Sequence, residues 1–164
     1  MSLHLTILNR QRTRDVNSRQ LRPIVTKLLS DLLEIKEAEL GVTLVAAPEM
    51  TRLNESFLQH EGSTDVITFD HRELGTRNSE LGTALHGEIF ICVDEAVDQS
   101  RRFRTTWQSE ITRYIIHGIL HLLGHDDHRA ADQRKMKREE NRLLRAVLTR
   151  FPLSRPARKP RLRA

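Results

Sequence analysis

The chain has 164 residues, 38% of them hydrophobic and 30% charged, which fits one soluble globular domain and excludes a disordered chain. No run approaches the roughly 20 apolar residues of a membrane span, and Cys92 is the single cysteine, which excludes an intramolecular disulfide. The formal net charge of +5 favours a polyanionic partner. Because the N-terminus has no secretion signal, we expect a cytoplasmic protein with no membrane partner.

The N-terminal part of the chain alternates between predicted strands and helices. Residues 3–9 alternate as a strand does, and residues 18–33 carry apolar side chains at helical spacing. Residues 41–46 predict a second strand, after which Ala47 and Pro48 open a helix that reaches Phe57. Two further strands are predicted at 63–69 and 87–93, separated by a loop over residues 70–85 that contains Gly75, Asn78, Ser79 and Gly82.

The C-terminal part is predicted to be helical. Asp94 is expected to cap a helix that ends near Arg102, and Thr105 or Thr106 is expected to cap the next helix, which runs through Leu123. A final charged helix is predicted over residues 130–148. Four strands and about five helices predict an α/β (α+β) fold in which helices cover a single four-stranded mixed sheet, within one domain over residues 1–150.

Residues 151–164 are predicted to form a basic, flexible tail. The sequence has no acidic residue after Glu140, whereas the basic residues there are Arg142, Arg145, Arg150, Arg155, Arg158, Lys159, Arg161 and Arg163. The prolines at 152, 156 and 160 prevent the last helix from continuing. The tail is either an arm that contacts a polyanion or a solvated, dispensable segment.

The candidate functional site lies on and just after the penultimate helix. His117 and His121 are four residues apart, so both side chains project from one helix face and can bind one ion. The apolar neighbours of these residues predict a largely buried helix, in which imidazoles without a partner would be costly. Four histidines within twelve residues therefore predict a metal site.

A third ligand has to come from beyond the helix. Gly124 can turn the chain back towards the metal, after which Asp127 and His128 are both candidates. His125 is a weaker candidate, since it would require the helix to continue through Gly124. The ligand types favour zinc, although manganese, nickel and iron bind similar groups.

Hydrolysis is the reaction class that this site favours. Three protein ligands leave a position for water, which the metal activates to attack a carbonyl or phosphoryl centre, whereas four ligands would make a closed structural site. Gly118 stands where the zinc peptidase motif His-Glu-x-x-His has its general base. Amide hydrolysis therefore lacks its usual base.

Residues 117–127, His-Gly-Ile-Leu-His-Leu-Leu-Gly-His-Asp-Asp, resemble the signature His-Gly-x-Leu-His-Leu-x-Gly-Tyr-Asp-His of the YbeY endoribonucleases of rRNA maturation. Leu53-Asn54 with Phe57, then residues 63–69 and 87–92, are similar to further segments of that family in the same order, so the resemblance covers roughly residues 3–148. It implies a four-stranded α/β fold and a zinc ion. It also implies a role in rRNA 3′-end processing and in quality control of the small ribosomal subunit.

The resemblance implies a ligand set of His117, His121 and Asp127, because Asp127 stands where the family has its third histidine. A carboxylate is a competent zinc ligand, but it should make the bound water less acidic than a third imidazole would. His128 would either replace Asp127 or hold a neighbouring group in place.

Two other positions also depart from the family. Leu58 stands where the family usually has an arginine that is thought to meet RNA, so Arg52 or the run Arg101, Arg102 and Arg104 would have to supply that charge; the run is otherwise a solvated helix end. Glu88 stands in for an aspartate of the family, as a base, a hydrogen-bond acceptor near the site, or a structural residue.

We therefore predict a single-strand-specific, zinc-dependent endoribonuclease that acts through metal-activated water, with no catalytic side chain assigned beyond the metal ligands. The expected partners are ribosomal RNA and the small ribosomal subunit, with a ribosomal protein or an assembly GTPase as further candidates. The main alternative is a non-catalytic ribosome-assembly factor whose zinc is structural. An amide hydrolase is a third possibility, which the missing glutamate after His117 disfavours.

Overall fold

The computed structural model of the chain describes residues 2–72 and 84–153, which contain the predicted four-stranded mixed sheet and five α-helices. The strands are β1 (Ser2–Asn9), β2 (Glu37–Val45), β3 (Val66–Asp70) and β4 (Ala84–Cys92). The helices are α1 (Ser18–Lys27), α2 (Ala47–Leu58), α3 (Val93–Phe103), α4 (Trp107–Leu122) and α5 (Ala130–Arg150). Residues 73–83 of the predicted loop and residues 154–164 of the predicted tail lie outside the described residues.

The strands lie in the order β1-β2-β4-β3, with β1, β2 and β4 parallel and β3 antiparallel to β4. Hydrophobic clusters cover both faces of the sheet, because alternate residues of each strand point to opposite sides. Val42 and Ile89 belong to the larger cluster, which α1, α4 and α5 complete. Val45 and Cys92 belong to the smaller one, beneath α2. Helix α4, which carries the paired histidines, thus packs on the larger face, against β3 and β4.

The ends of several elements differ from the prediction. The helix predicted over 18–33 is α1 followed by a π-helical turn, Leu28–Leu32, in which the Leu33 N–H donates to the Leu28 carbonyl at 2.9 Å. Strand β2 begins at Glu37, four residues before the predicted position 41, because its charged residues alternate with buried ones between two partner strands. Strand β3 begins only at Val66.

The prediction that Asp94 caps α3 is wrong. Cys92 occupies the N-cap position of α3 with no side-chain hydrogen bond, and Asp94 lies in the first turn. The Asp94 carboxylate instead accepts from the Ala47 N–H at 2.5 Å and from the Thr13 hydroxyl at 2.7 Å. It therefore satisfies the first backbone donor of α2 and joins two helices that are distant in sequence.

Two glycines allow α4 to approach β4 closely. A Cβ atom at Gly118 would lie 2.8 Å from Ile89 Cγ2, and one at Gly87 would lie 2.6 Å from the Phe69 carbonyl oxygen and 2.9 Å from Leu122 Cδ2. Real Cβ atoms essentially never lie this close to a non-bonded heavy atom, so a side chain at either position would force its neighbour to move. Position 118 therefore faces the sheet and has no room for the general-base glutamate of a zinc peptidase.

We expect Gly118→Ala to lower the free energy of unfolding by up to about 2 kcal/mol. Alanine gains about 1 kcal/mol of helix propensity over glycine, but overpacking a core typically costs about 1–3 kcal/mol. Denaturant unfolding measures the difference. Adding Ile89→Val should recover part of the loss, because it removes Ile89 Cδ1, which lies 2.9 Å from the position that the alanine methyl group would take. A rise of about 1 kcal/mol in the free energy of unfolding of Gly118→Ala, which is the full gain in helix propensity, would contradict the close packing.

Candidate metal centre

The local sequence defines both ends of α4. Of the two predicted caps, Thr105 and Thr106, Thr106 is the N-cap, and its hydroxyl accepts from the Ser109 N–H at 3.1 Å. At the other end Gly124 adopts a φ of +98°, and the His125 N–H donates to the Leu120 carbonyl at 3.0 Å. Glycine adopts this left-handed conformation at no steric cost. The chain therefore reverses at the predicted glycine and carries residues 125–128 back past the end of the helix.

Three potential ligand atoms converge beside this turn. His117 Nε2 and His121 Nε2 lie 3.0 Å apart, and Asp127 Oδ2 lies 3.5 Å from His121 Nε2. All three atoms are within 4.8 Å of one another, and the three side chains are half-buried. Two nitrogen atoms bound to one tetrahedral zinc ion would be about 3.3 Å apart, given Zn–N bonds of about 2.0–2.1 Å. The observed arrangement therefore fits a zinc ion with small side-chain shifts.

The outer nitrogens of both imidazoles are already occupied. His117 Nδ1 lies 3.0 Å from a carboxylate oxygen of Glu140, and His121 Nδ1 lies 3.1 Å from the carbonyl oxygen of His125. Both of these oxygens only accept hydrogen bonds, so each Nδ1 carries the proton. In the neutral rings the two Nε2 atoms are then bare acceptors that face each other and a carboxylate. Such a cluster needs a proton or a metal ion between its members.

A second group of potential ligands overlaps the first. Asp126, Asp127 and His128 also have ligand atoms within 4.8 Å of one another. The His128 side chain is 87% exposed, however, and its Nε2 lies 3.5 Å from Asp126 rather than beside the paired histidines. Asp127 is common to both groups. Of the two candidates for a third ligand, the structure thus brings Asp127, and not His128, to His117 and His121.

Glu140 on α5 is a site residue that sequence reasoning missed. It is 4% exposed, and its carboxylate accepts from Arg113 at 2.8 Å and from Lys137 at 3.4 Å as well as from His117. Burial would raise the pKa of this carboxyl, but the hydrogen bonds from His117 and Arg113 lower it to about 2. A signal was present in the sequence, since Glu140 lies in helical phase with the buried Met136 and Leu143. A buried carboxylate on an apolar stripe needs such partners.

The two histidines have pKa values shifted in opposite directions. Burial lowers the pKa of His117, but the Glu140 carboxylate outweighs it and leaves this pKa raised. For His121, burial and the neighbouring His117 charge together lower the pKa. His121 thus favours the neutral form, which is the form that binds metal.

A cleft of about 600 Å³ opens beside the metal centre. His117 and Asp127 of the metal centre line it, together with Phe103 and Tyr114. Its walls come from α3, α4, α5 and the segment before β3, so one molecule in the cleft could contact all of them and the metal centre. This is room for a substrate of nucleotide size.

The predicted RNA-contact residues lie outside this cleft. Arg101, Arg102 and Arg104 are exposed at the C-terminal end of α3, on either side of Phe103, and stay candidates for contacting RNA. Leu58, the last residue of α2, is 42% exposed and supplies no charge. Arg52 is exposed on the same helix.

Glu88 lies on the sheet face opposite the metal centre. Its neighbours Gly87 and Ile89 face α4, so Glu88 points to the opposite face of the sheet. There Glu88 Oε2 lies 2.9 Å from His71 Nε2. The interpretation of Glu88 as a base or as an acceptor beside the site is therefore wrong, and it is a surface residue of the sheet.

Comparisons with known proteins point to one family over most of the chain. A family model described as Endoribonuclease YbeY matches residues 6–148. The chain is 33% identical to Endoribonuclease YbeY of Salinibacter ruber over 145 residues, 88% of this chain and 92% of that protein. It is 30% identical to Endoribonuclease YbeY of Thermodesulfovibrio yellowstonii, over 88% and 97% of the two chains.

A solved structure also matches. The solution structure of TM1509 from Thermotoga maritima superposes with a TM-score of 0.65 at 25% identity, covering 94% of this chain and 99% of that one. Over residues 2–72 and 84–153, no helix combines the length and the apolar character that crossing a membrane requires.

Proposed function

The chain belongs to the YbeY endoribonuclease family, and we propose that it hydrolyses single-stranded RNA with a divalent metal ion at His117, His121 and Asp127. We further propose zinc as the ion and cytoplasmic ribosomal RNA as the substrate. The cellular role would be maturation of the rRNA 3′ end and quality control of the small ribosomal subunit. The partners would be that subunit and a ribosomal protein or assembly GTPase bound to it.

The observation that carries this proposal is the convergence of three acceptor atoms at the wall of an open cleft. A structural zinc site normally has four protein ligands and no access for a substrate. Among the described residues, the cluster that contains His117 and His121 has three members, and His117 and Asp127 are also cleft residues. This arrangement supports catalysis over a purely structural ion.

The residues around the centre have separable tasks. Glu140 and the His125 carbonyl hold the two imidazoles with Nε2 facing inward, while the Asp127 carboxylate adds negative charge. A divalent ion bound there would supply Lewis-acid chemistry for attack of water on phosphorus. In the overall reaction water forms one P–O bond, the P–O bond to the leaving ribose oxygen breaks, and a proton passes to that oxygen.

The proposal can be tested with a single-stranded RNA from the 3′ end of a small-subunit rRNA precursor and the same RNA annealed to its complement. We expect cleavage of the single strand only, loss of cleavage with a chelator, and recovery on adding zinc. RNA binding without cleavage under every metal condition would favour the assembly-factor alternative. Chelator-sensitive peptide turnover would instead indicate an amide hydrolase.

A further inference from the structure

A residue of the cleft wall carries a buried polar atom that has no partner. Tyr114 lies one helical turn before His117 and is 5% exposed, yet its side chain lines the cleft. Its hydroxyl is the one buried side-chain polar atom without a hydrogen-bond partner among residues 2–72 and 84–153. An unsatisfied buried hydroxyl costs free energy, which a ligand in the cleft would recover by supplying the partner once a small side-chain shift uncovers the hydroxyl.

An exposed aromatic ring lies on the same cleft. Phe103, the last residue of α3, is 69% exposed and is a cleft residue. A large apolar side chain with this exposure contributes little to the free energy of folding, because most of its surface stays in water. Proteins bind unpaired nucleobases through stacking on an aromatic ring and hydrogen bonding at the base edge, and one cleft wall here has residues of both kinds.

The charges of the cleft favour a base over a second phosphate. Asp65 and Glu110 line it, and neither forms an ion pair within the described part of the chain; Glu110 accepts from the Thr105 hydroxyl at 2.7 Å. The cationic groups of Arg113 and Lys137 contact Glu140. These carboxylates would repel a phosphate, whereas an uncharged base with N–H donors at its edge suits them.

We propose that the cleft beyond the metal centre is a nucleobase subsite, in which the base next to the scissile phosphate stacks on Phe103 and hydrogen bonds to the Tyr114 hydroxyl. This inference rests on the proposed function, because the metal centre places the phosphate. Stacking on an aromatic ring tolerates every base but requires that base to be unpaired and unstacked. The subsite would therefore select single-stranded RNA by access rather than by sequence.

The stacking is tested by a double-mutant cycle in which one change is made in the protein and the other in the RNA. After the cleavage site is mapped, an abasic nucleotide is placed on each side of it in turn. On one side we expect the wild-type kcat/KM to fall roughly ten-fold. Phe103→Leu should lose about the same factor on the intact RNA and nothing further on the abasic RNA. Phe103→Trp, which keeps an aromatic face, should retain the abasic loss. Equal abasic losses in wild type and Phe103→Leu would overturn the subsite.

Phe57→Leu is the matched control. Phe57 is 64% exposed in the last turn of α2, packs edge-to-face on Phe69 at 5.5 Å, and is not a cleft residue. The change removes the same ring from a similar helix end. We expect kcat/KM to stay within two-fold of wild type, with the full abasic loss. A ten-fold loss in this control would show a general effect of surface aromatics and would count against the subsite.

The Tyr114 hydroxyl is tested by Tyr114→Phe. Because this hydroxyl has no partner in the free protein, removing it should leave the thermal midpoint unchanged or raised. The Kd for a single-stranded RNA oligonucleotide should nevertheless rise several-fold. A lowered midpoint with unchanged Kd would assign Tyr114 to structure alone and overturn its part in the subsite.

A binding measurement separates failure of this subsite from failure of the proposed function. If the wild type cleaves no RNA, the proposed activity is refuted, and stacking is still measurable with an oligonucleotide that carries 2-aminopurine at successive positions. Fluorescence changes that depend on Phe103 but not on Phe57 would support the subsite in a non-catalytic RNA-binding protein. Changes independent of both side chains would overturn it.

Discussion

Asp127→Ala should purify with far less than one zinc per chain, and its RNA cleavage should fall at least about 100-fold. Changing a group that merely orients a metal ligand typically costs about 10–100-fold, and removal of a ligand should exceed that. Asp127 Oδ2 is the carboxylate atom that completes the cluster, at 3.5 Å from His121 Nε2. Elemental analysis of the purified protein and single-turnover cleavage measure the two effects.

His128→Ala is the matched control, one residue further along the same turn. Its imidazole is 87% exposed and faces Asp126, so zinc content and cleavage should match the wild type. Asp127→His should also retain zinc, because imidazole is an equally competent ligand. Loss of zinc in His128→Ala but not in Asp127→Ala would reverse the ligand assignment. Full zinc and activity in both would require a third ligand from elsewhere.

The chemistry that depends on local spacing could be predicted from the sequence. The four-residue interval between His117 and His121 fixes their common face, and Gly124 is the residue that can adopt the left-handed turn. Both features involve neighbours in the chain. The same is true of Thr106, whose hydroxyl caps the helix three residues from its backbone partner. These short-range rules bring the two imidazoles and the turn together, whereas the choice of Asp127 over His128 came from the family resemblance.

Partners from distant elements could not be predicted in this way. Asp94 matched the pattern of a cap for its own helix, and nothing local indicates that it accepts from Ala47, 47 residues away. Glu140 meets His117 across 23 residues because α5 packs against α4. In the sequence, Tyr114 occupies one of the apolar positions of a buried helix and gives no sign of a special role. Its hydroxyl lacks a hydrogen-bond partner because of which side chains surround it in three dimensions, and the local sequence does not reveal these.

The sheet also has features that the local sequence predicts and features that depend on distant parts of the chain. Four strands were predicted, but the antiparallel edge position of β3 beside β4 depends on the long-range path of the chain. The face to which Glu88 points is set by which side of β4 the helix α4 covers. Alternation along a strand separates the two faces without saying which one carries the site.

Glu140→Ala should lower the free energy of unfolding by about 3 kcal/mol and weaken zinc binding about 10–100-fold. The change removes the carboxylate that accepts hydrogen bonds from Arg113, Lys137 and His117, so the donors of these three side chains lose that partner. Breaking a buried ion pair from one side costs about 3–5 kcal/mol, and Arg113, at 24% exposure, can recover some solvation. Denaturant unfolding of the metal-free protein and zinc competition with a chelator measure the two quantities.

Two variants separate the stability effect from the metal effect. Glu139→Ala removes the neighbouring carboxylate, which pairs with the exposed Arg142, so it should change stability by less than about 1 kcal/mol and leave zinc affinity unchanged. Glu140→Gln keeps an oxygen that can accept from His117 Nδ1 but lacks the charge. It should retain more stability than Glu140→Ala while still binding zinc more weakly than wild type, since the carboxylate makes the imidazole a more basic ligand. If Glu140→Ala matched Glu139→Ala in both measurements, the hydrogen bond between His117 and Glu140 would have no part in positioning the metal ligand.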